Sequence, residues 1–374
     1  MAITRIGNIA STIPDDSIQN VKMSNIVQSK NIIINGDMSI AQRATSVSSI
    51  TGSGYNTVDR FRTNMGTAGT WTQSQSTDVP TGQGFATSFK MDCTTANGSL
   101  SAGSFLIIDQ RVEGQNLQYL KKGTSSAEST TISFWVKSAK TGTYIVALND
   151  LDNSRYIANS YTISSANTWE KKTITYAGDT TGAFDNDNAS SLKVQFWLVA
   201  GTTYSSGTLA TSWESNTNAN NAVGQVNLAD STSNEWYVTG IQLEAGSVAS
   251  DFEFLPVDVN LNRCQRYLFT LTSPSGQGRF GSGGFFSTTE ADTIVSLPVE
   301  MRTTYSMSYS ALSHFRLTSH TAASALSSLA LETSRVLNAA DLRATATTAI
   351  GTAGNYALLY TNGSSSKMFF DAEL

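Results

Sequence analysis

The feature that most constrains this chain is a two-residue alternation of apolar and polar side chains in several segments. Ile132, Phe134 and Val136 alternate with Ser133, Trp135 and Lys137. Leu192, Val194, Phe196, Leu198 and Ala200 alternate with Lys193, Gln195, Trp197 and Val199. Tyr237, Thr239, Ile241 and Leu243 alternate with Trp236, Val238, Gly240 and Gln242. Successive side chains of a strand point to opposite faces, so each segment can bury one face and leave the other outward. Gly, Asn and Asp turn signals separate these runs, and helical periodicity is nearly absent. The expected fold class is all-β, with a large antiparallel two-sheet sandwich.

Composition agrees and removes several function classes. At 374 residues, and roughly 150 residues per domain, two or three domains are expected. Only 14% of residues are charged, which suits strands rich in Thr, Val, Ile, Tyr and Phe better than surface helices. The net charge of -5 offers no basic stripe for phosphates or anionic lipid, so neither nucleic-acid binding nor membrane attachment is expected. The opening residues Met1-Ala2-Ile3-Thr4-Arg5-Ile6-Gly7-Asn8 lack the basic-then-apolar pattern of a secretory signal. No apolar run reaches the about 18 residues of a membrane span, so insertion is not expected. Cys93 and Cys264 are expected to be buried free thiols.

Three segments follow. Residues 1–30 form an N-terminal arm with isoleucines at Ile3, Ile6, Ile9, Ile13 and Ile18. It is too short and polar to bury a core, so it is expected to anchor or oligomerise on a partner surface. Residues 31–258 read as the sandwich, opening with a strand at Asn31-Ile32-Ile33-Ile34 that ends in a turn at Asn35-Gly36-Asp37. Beyond Pro256, a stretch over Val259–Phe269 with helical character leads into a smaller C-terminal β domain, residues 259–374. There Tyr305, Met307 and Tyr309 alternate with serines, and Met368, Phe370 and Ala372 tie the terminus into a sheet.

Several stretches resemble tail-fibre and appendage proteins of tailed bacteriophages. They include Asn35-Gly36-Asp37-Met38-Ser39-Ile40, Gln42-Arg43, Gly54-Tyr55 and Val58-Asp59-Arg60-Phe61. Met38 and Phe61 stand where that family usually has an aromatic residue and a tryptophan. Ser133-Phe134-Trp135-Val136-Lys137-Ser138 and Thr168-Trp169-Glu170-Lys171 resemble its jelly-roll core, which is similar to carbohydrate-binding modules. The most specific match is Val238-Thr239-Gly240-Ile241-Gln242-Leu243-Glu244-Ala245-Gly246, with Phe252-Glu253 and Cys264-Gln265-Arg266-Tyr267. Leu297-Pro298-Val299-Glu300-Met301-Arg302 and the closing Asp371-Ala372-Glu373-Leu374 resemble its C-terminal domain. Asp16-Ser17-Ile18-Gln19-Asn20-Val21-Lys22-Met23 resembles short segments of trimeric phage fibres. The resemblance implies a jelly-roll virion protein and a homotrimer. It also implies attachment to other tail or adaptor proteins through the arm, and host-surface glycan as ligand. An outward-facing composition without an export signal suits a particle assembled in the host cytoplasm. A capsid or collar decoration without a receptor role, and a glycan-degrading tailspike, are the alternatives.

Signals for chemistry are sparse. Gly276-Gln277-Gly278-Arg279-Phe280-Gly281 fits the dinucleotide spacing, but Gly283-Gly284-Phe285-Phe286 continues as loop or strand instead of opening a helix. His314 and His320 are expected to be exposed or hydrogen-bonded. Glycan cleavage needs two carboxyls across a groove; Asp109, Glu113 and Glu244 can be named, yet nothing pairs them. No catalytic residue and no cofactor is assigned, and the chain is expected not to be an enzyme. A structural calcium ion is the alternative near the opening turn, at Asn35 and Asp37, with Asp185-Asn186-Asp187-Asn188 a further oxygen-rich loop; at both places turn-forming Asx residues are the expected reading. The candidate ligand site is a platform of Trp135, Trp197 and Trp236 beside Lys137, Gln195 and Gln242, each tryptophan opposite its strand's apolar face. That face is expected to be covered by a loop, the C-terminal domain or a sister subunit, with glycan stacking as the functional alternative. Trp71, Trp169 and Trp213 are secondary candidates.

Overall fold

The computed structural model describes residues 30–273, 278–332, 336–362 and 366–374. The arm isoleucines Ile3, Ile6, Ile9, Ile13 and Ile18 lie outside these residues, as do Gly276 and Gln277. The described chain is nearly all β, and every strand pair is antiparallel. Strands are numbered in chain order. The first sheet is β1 (Ser46–Ile50), β4 (Thr70–Ser76), β5 (Ser88–Thr95), β13 (Glu235–Ala245), β7 (Thr130–Ser138) and β10 (Glu170–Tyr176), in that lateral order. The second is β12 (Glu214–Ser215), β9 (Arg155–Ile163), β8 (Gly142–Asp150), β11 (Ser190–Ala200), β6 (Phe105–Glu113), β3 (Arg62–Gly66) and β2 (Gly54–Tyr55). Their inner faces share one core, in which Phe134 meets Phe196 edge-on at 5.1 Å. Burying such a ring contributes about 1.5–3 kcal/mol, which is why the alternation dictates the layer.

Two bulges break the alternation where it looked regular. Along β13, Thr239 faces Trp135 and Gln242 faces Ser133, so β13 carries one extra residue at Gly240-Ile241. Gly240 takes the left-handed φ of +63° that permits it. The face therefore switches: Trp236 and Val238 share the core with Ile241 and Leu243. In β11 the register with β6 slips between Trp197 and Val199, placing both Leu198 and Val199 inward.

Residues 31–37 are not the expected strand. Ile32, Ile33 and Ile34 are buried, but side chains replace a ladder around them. Asn31 Oδ1 accepts from the N–H groups of Ile33 and Leu243. Gln110 accepts from Ile34 N–H at 2.7 Å and donates to Ile34 O at 2.9 Å.

After Pro256 a helix runs Val257–Gln265. Next come β14 (Leu268–Ser273), β15 (Arg279–Phe285), β16 (Glu290–Ser296), β17 (Ser306–Tyr309), β18 (Phe315–Thr318), β19 (Ala323–Leu331), β20 (Ala339–Ala346), β21 (Tyr356–Thr361) and β22 (Ser366–Asp371). Six of them close a barrel in the order β15-β16-β20-β19-β18-β21, and β14-β22-β17 form a small sheet. These strands bury a separate core that includes Phe315, Leu342, Leu359 and Phe370. Arg279 of the glycine-rich motif begins barrel strand β15.

The two bodies meet at a polar junction built from the family-like motifs. Arg60 is fully buried and ion-paired with Glu373. It also donates to Arg111 O at 2.7 Å and lies 3.4 Å from the Tyr267 ring centroid. Arg43 pairs with Asp371 at 2.7 Å, and Gln42 bridges Asp59 at 2.6 Å to Leu268 O at 2.7 Å. Arg266 grips Glu113 through two hydrogen bonds of 2.9 Å.

Candidate functional site

The outer face of the first sheet carries a compact group of aromatic and charged side chains. Lys137 on β7 faces Tyr237 on β13, which in turn faces Lys90 on β5. The Lys137 ammonium lies 4.3 Å from the Tyr237 ring centroid and 5.7 Å from that of Trp169, on the turn before β10. Asp78, on the loop after β4, pairs with Lys137 and accepts from Trp169 Nε1 at 3.0 Å. Burial raises the Asp78 pKa, but the bonds from Lys137 and Trp169 outweigh it and hold the carboxyl below its usual range. Glu235 accepts from Lys90 at 2.6 Å and from the Tyr237 hydroxyl at 2.7 Å. Two residues from Lys137 on the same face, Trp135 sits across from Thr239 and Lys171. Trp135 and Trp169 are both half-buried. The charged groups hold the Trp169 and Tyr237 rings in place, and part of the Trp135 and Trp169 indoles stays accessible.

Of the expected platform, only Trp135 and Lys137 share this face. Trp236 belongs to the inter-sheet core, fully buried beside Phe89 and Phe196, because the Gly240 bulge reversed its phase. Trp197 lies on the outer face of the other sheet under the segment 201–222. It packs there on Tyr204, Ala210 and Ala222 and donates to Tyr156 Oη at 2.9 Å. Gln195 is on that second sheet too, facing Asp109. Gln242 points outward from the first sheet but is plugged. Its amide donates to Glu244 and Ser250, and its oxygen accepts from Glu253 N–H at 2.8 Å. Among the secondary tryptophans, Trp71 is core and Trp213 lies beneath the Lys122 ammonium.

The oxygens proposed for calcium do not fit that ion. Asn35 Oδ1 accepts from Ile40 N–H at 2.9 Å, and Asp37 Oδ1 accepts from the Asn260 amide at 3.1 Å. A hydrogen-bond donor thus occupies the place of a cation, and one carboxylate is far short of the six to eight oxygens calcium takes. Asp187 Oδ1 accepts from Ala189 N–H, an Asx turn, while Asn188 bridges to Arg302 O at 2.7 Å. Of the carboxyls considered for cleavage, Glu113 is spent on Arg266, Tyr267 and Gln115, and Glu244 on Gln242 and Ser250. Burial works against the Glu113 charge, but Arg266 and Tyr267 hold its pKa below the usual range. His314 bonds Ser310 at 2.8 Å and His320 is exposed. Both cysteines are free and buried.

No family model and no curated protein matches this chain. Among solved structures it is similar to the enzymatically active domain of bacteriophage CBA120 tailspike protein 4. The identity is 16% over 57% of this chain, with a TM-score of 0.29, and the chain spans only 21% of that one's length. It is also similar to a putative sugar binding protein from Bacteroides thetaiotaomicron, at 12% identity over 58% of this chain and 100% of that one, TM-score 0.32. A family 11 carbohydrate-binding module from a Clostridium thermocellum cellulosomal cellulase matches at 15% identity over 54% of this chain and 99% of that one, TM-score 0.25.

Tyr237, Lys90, Asp78 and Glu235 were missed as site residues because regular alternation assigned Tyr237 to the core face. The glycine at position 240, unusual inside a strand, was the one signal of the reversal.

Proposed function

We propose that this chain is a non-enzymatic adhesin of a tailed-phage particle, a tail-fibre or appendage protein that holds host-surface glycan on the outer face of its first sheet. The observation that carries the reading is that Trp135 and Trp169 are half-buried together on that face, while Trp71, Trp197 and Trp236 are buried and the half-buried Trp213 lies elsewhere, under Lys122. Part-open indoles stack on the C–H faces of sugars, and fixed Lys, Asp and Glu neighbours can bond their hydroxyls. The resemblance of the family-like motifs to tail-fibre proteins of tailed phages supports the virion role. The engagement of Glu113 and Glu244 in other bonds supports adhesion over glycan cleavage. In this reading the N-terminal arm anchors a homotrimer to tail or adaptor proteins.

The test is attachment of fluorescently labelled protein to host cells. Trp135→Ala combined with Trp169→Ala should reduce attachment at least tenfold with little change in melting temperature. Undiminished attachment by a folded double variant would refute the site. Release of new reducing ends from host polysaccharide would refute the non-enzymatic assignment, and a monomeric intact mass would refute the trimer.

A further inference from the structure

The outer face of the C-terminal barrel carries an aromatic stripe on β21. That strand sends Ala357 and Leu359 into the barrel core, so Tyr356, Leu358 and Tyr360 stand on the opposite face. Tyr356 is 51% exposed. On β15 it faces Gly284, which has no side chain to cover the ring, and Leu358 faces Ser282. From Tyr356 to Tyr360 the stripe runs about 13 Å along the strand, a span that a short oligosaccharide can follow.

Two arginines flank one end of the stripe. Tyr360 pairs with Arg279 of β15 on one side and Arg316 of β18 on the other. Their guanidinium carbons lie 5.5 Å and 5.8 Å from its ring centroid, and Arg279 Nε donates to Tyr360 Oη at 2.7 Å. Every other described arginine has a carboxylate within ion-pair reach or bonds a backbone carbonyl. Among the described residues, Arg279 and Arg316 alone have neither. Asp292, which faces Gly284 from β16, is held by Arg343 through bonds of 3.0 Å and 3.1 Å. Arg279 is exposed and Arg316 half-buried; the Arg316 Nε is sealed, so this side chain offers a ligand only its terminal nitrogens. In a chain of net charge -5, two neighbouring guanidinium forks without a counter-ion give the stripe a positive end. The planar fork suits an oxyanion held by paired bonds.

We propose that this face of the barrel is a second ligand site, one that takes an acidic saccharide by its carboxylate or phosphate. The anionic group meets Arg279 and Arg316 at the Tyr360 end, and a sugar ring stacks on Tyr356 beside Gly284. The inference rests on the adhesin reading for the saccharide class and on the two arginines for the charge. Its residues are separate from the Trp135 face.

The experiment titrates the full chain with oligogalacturonate, phosphomannan oligosaccharide, a neutral maltooligosaccharide and oligoglutamate. One or both acidic saccharides should bind, more weakly as salt rises; the two arms tell carboxylate from phosphate. The neutral sugar and the acidic peptide should bind at least about tenfold more weakly. Arg279→Gln and Tyr356→Ala, both at exposed positions, should each weaken binding about tenfold at an unchanged melting temperature. Lys121→Gln removes an exposed charge from the sandwich and should leave binding as it was. No binding of either acidic saccharide, equal binding of the neutral sugar or of oligoglutamate, or equal losses in Lys121→Gln and Arg279→Gln overturns the proposal. If Trp135→Ala with Trp169→Ala abolishes cell attachment while the titrations are blank, this site falls and the first stands. If that double variant attaches undiminished while Arg279→Gln loses the acidic saccharide, the first falls and this one stands.

Discussion

Glu373→Gln probes the junction most directly. It leaves the Arg60 guanidinium fully buried, still stacked on Tyr267 and bonded to Arg111 O, but without its carboxylate. Burial opposes the Arg60 charge, but Glu373 together with Tyr267, Tyr55 and Cys264 outweighs it, so the native arginine holds its proton more firmly than a free one. Removing one partner of a buried pair costs about 3–5 kcal/mol, mainly the penalty of the stranded charge. Arg43, 3.4 Å from Glu373, loses part of its pairing but keeps Asp371, which places the expected cost near the lower bound. At about 2–4 °C per kcal/mol for a body of this size, the melting temperature should drop by about 10 °C. The assay exploits an asymmetry: all six tryptophans lie between Trp71 and Trp236, within the sandwich. Urea unfolding followed by tryptophan fluorescence reports that body alone, whereas far-ultraviolet circular dichroism reports both. The two transitions should coincide in the native protein and separate in Glu373→Gln. A double variant with Arg60→Met should cost at least about 2 kcal/mol less than the sum of the single changes, because it removes the stranded cation. Additive costs and transitions that still coincide would show that the pair does not couple the bodies.

Other outcomes follow from the same geometry. Asp59 has its pKa pushed up to about 6 by burial, which outweighs its bonds from Gln42. The folded protein then binds this proton more tightly than the unfolded chain, whose carboxyl titrates near about 4. The site's contribution is complete below about pH 4 and about 3 kcal/mol of it is lost as pH rises past about 6. Asp59→Asn should remove that slope from a plot of unfolding free energy against pH, and an unchanged slope would rule the assignment out. Trp236→Ala should cost about 3–5 kcal/mol in urea unfolding, as for other buried rings, and Trp135→Ala less than about 1.5 kcal/mol; equal losses would contradict the bulge. Gly240→Ala forces a side chain into a left-handed φ, with its Cβ 2.5 Å from the Phe85 ring. It should cost about 1–3 kcal/mol by thermal melting, and a neutral effect would mean that the strand relaxes.

The architecture was legible because alternation is a local signal with a global consequence: Phe134, Phe196 and Leu243 had to share an interior. Orientation beyond a bulge was not legible, since one inserted residue exchanges every later side chain between faces. That exchange moved Trp236 from the expected platform into the core and Tyr237 out to the surface. The composition of Asn31–Asp37 suggested a strand, yet the Asn31 and Gln110 side chains satisfy its backbone, and Gln110 lies 76 positions from Ile34. Helical character was expected over Val259–Phe269, whereas the helix runs Val257–Gln265 and Leu268 already begins a strand. Trp197 kept its outward position but lay beneath the segment 201–222, whose small alanines at 210 and 222 carry no sequence signature of a lid.

The motifs that stood out most in the sequence turn out to serve position more than ligand. Arg60 and Glu373 are 313 residues apart, and both come from stretches that resemble one family. An apolar junction would hold two bodies by area and tolerate sliding; bonds from Arg43, Arg60, Gln42 and Arg266 to named carboxylates and carbonyls fix one orientation. Arg266 and Tyr267, at the end of the helix after Pro256, join the same junction by both donating to Glu113 of β6.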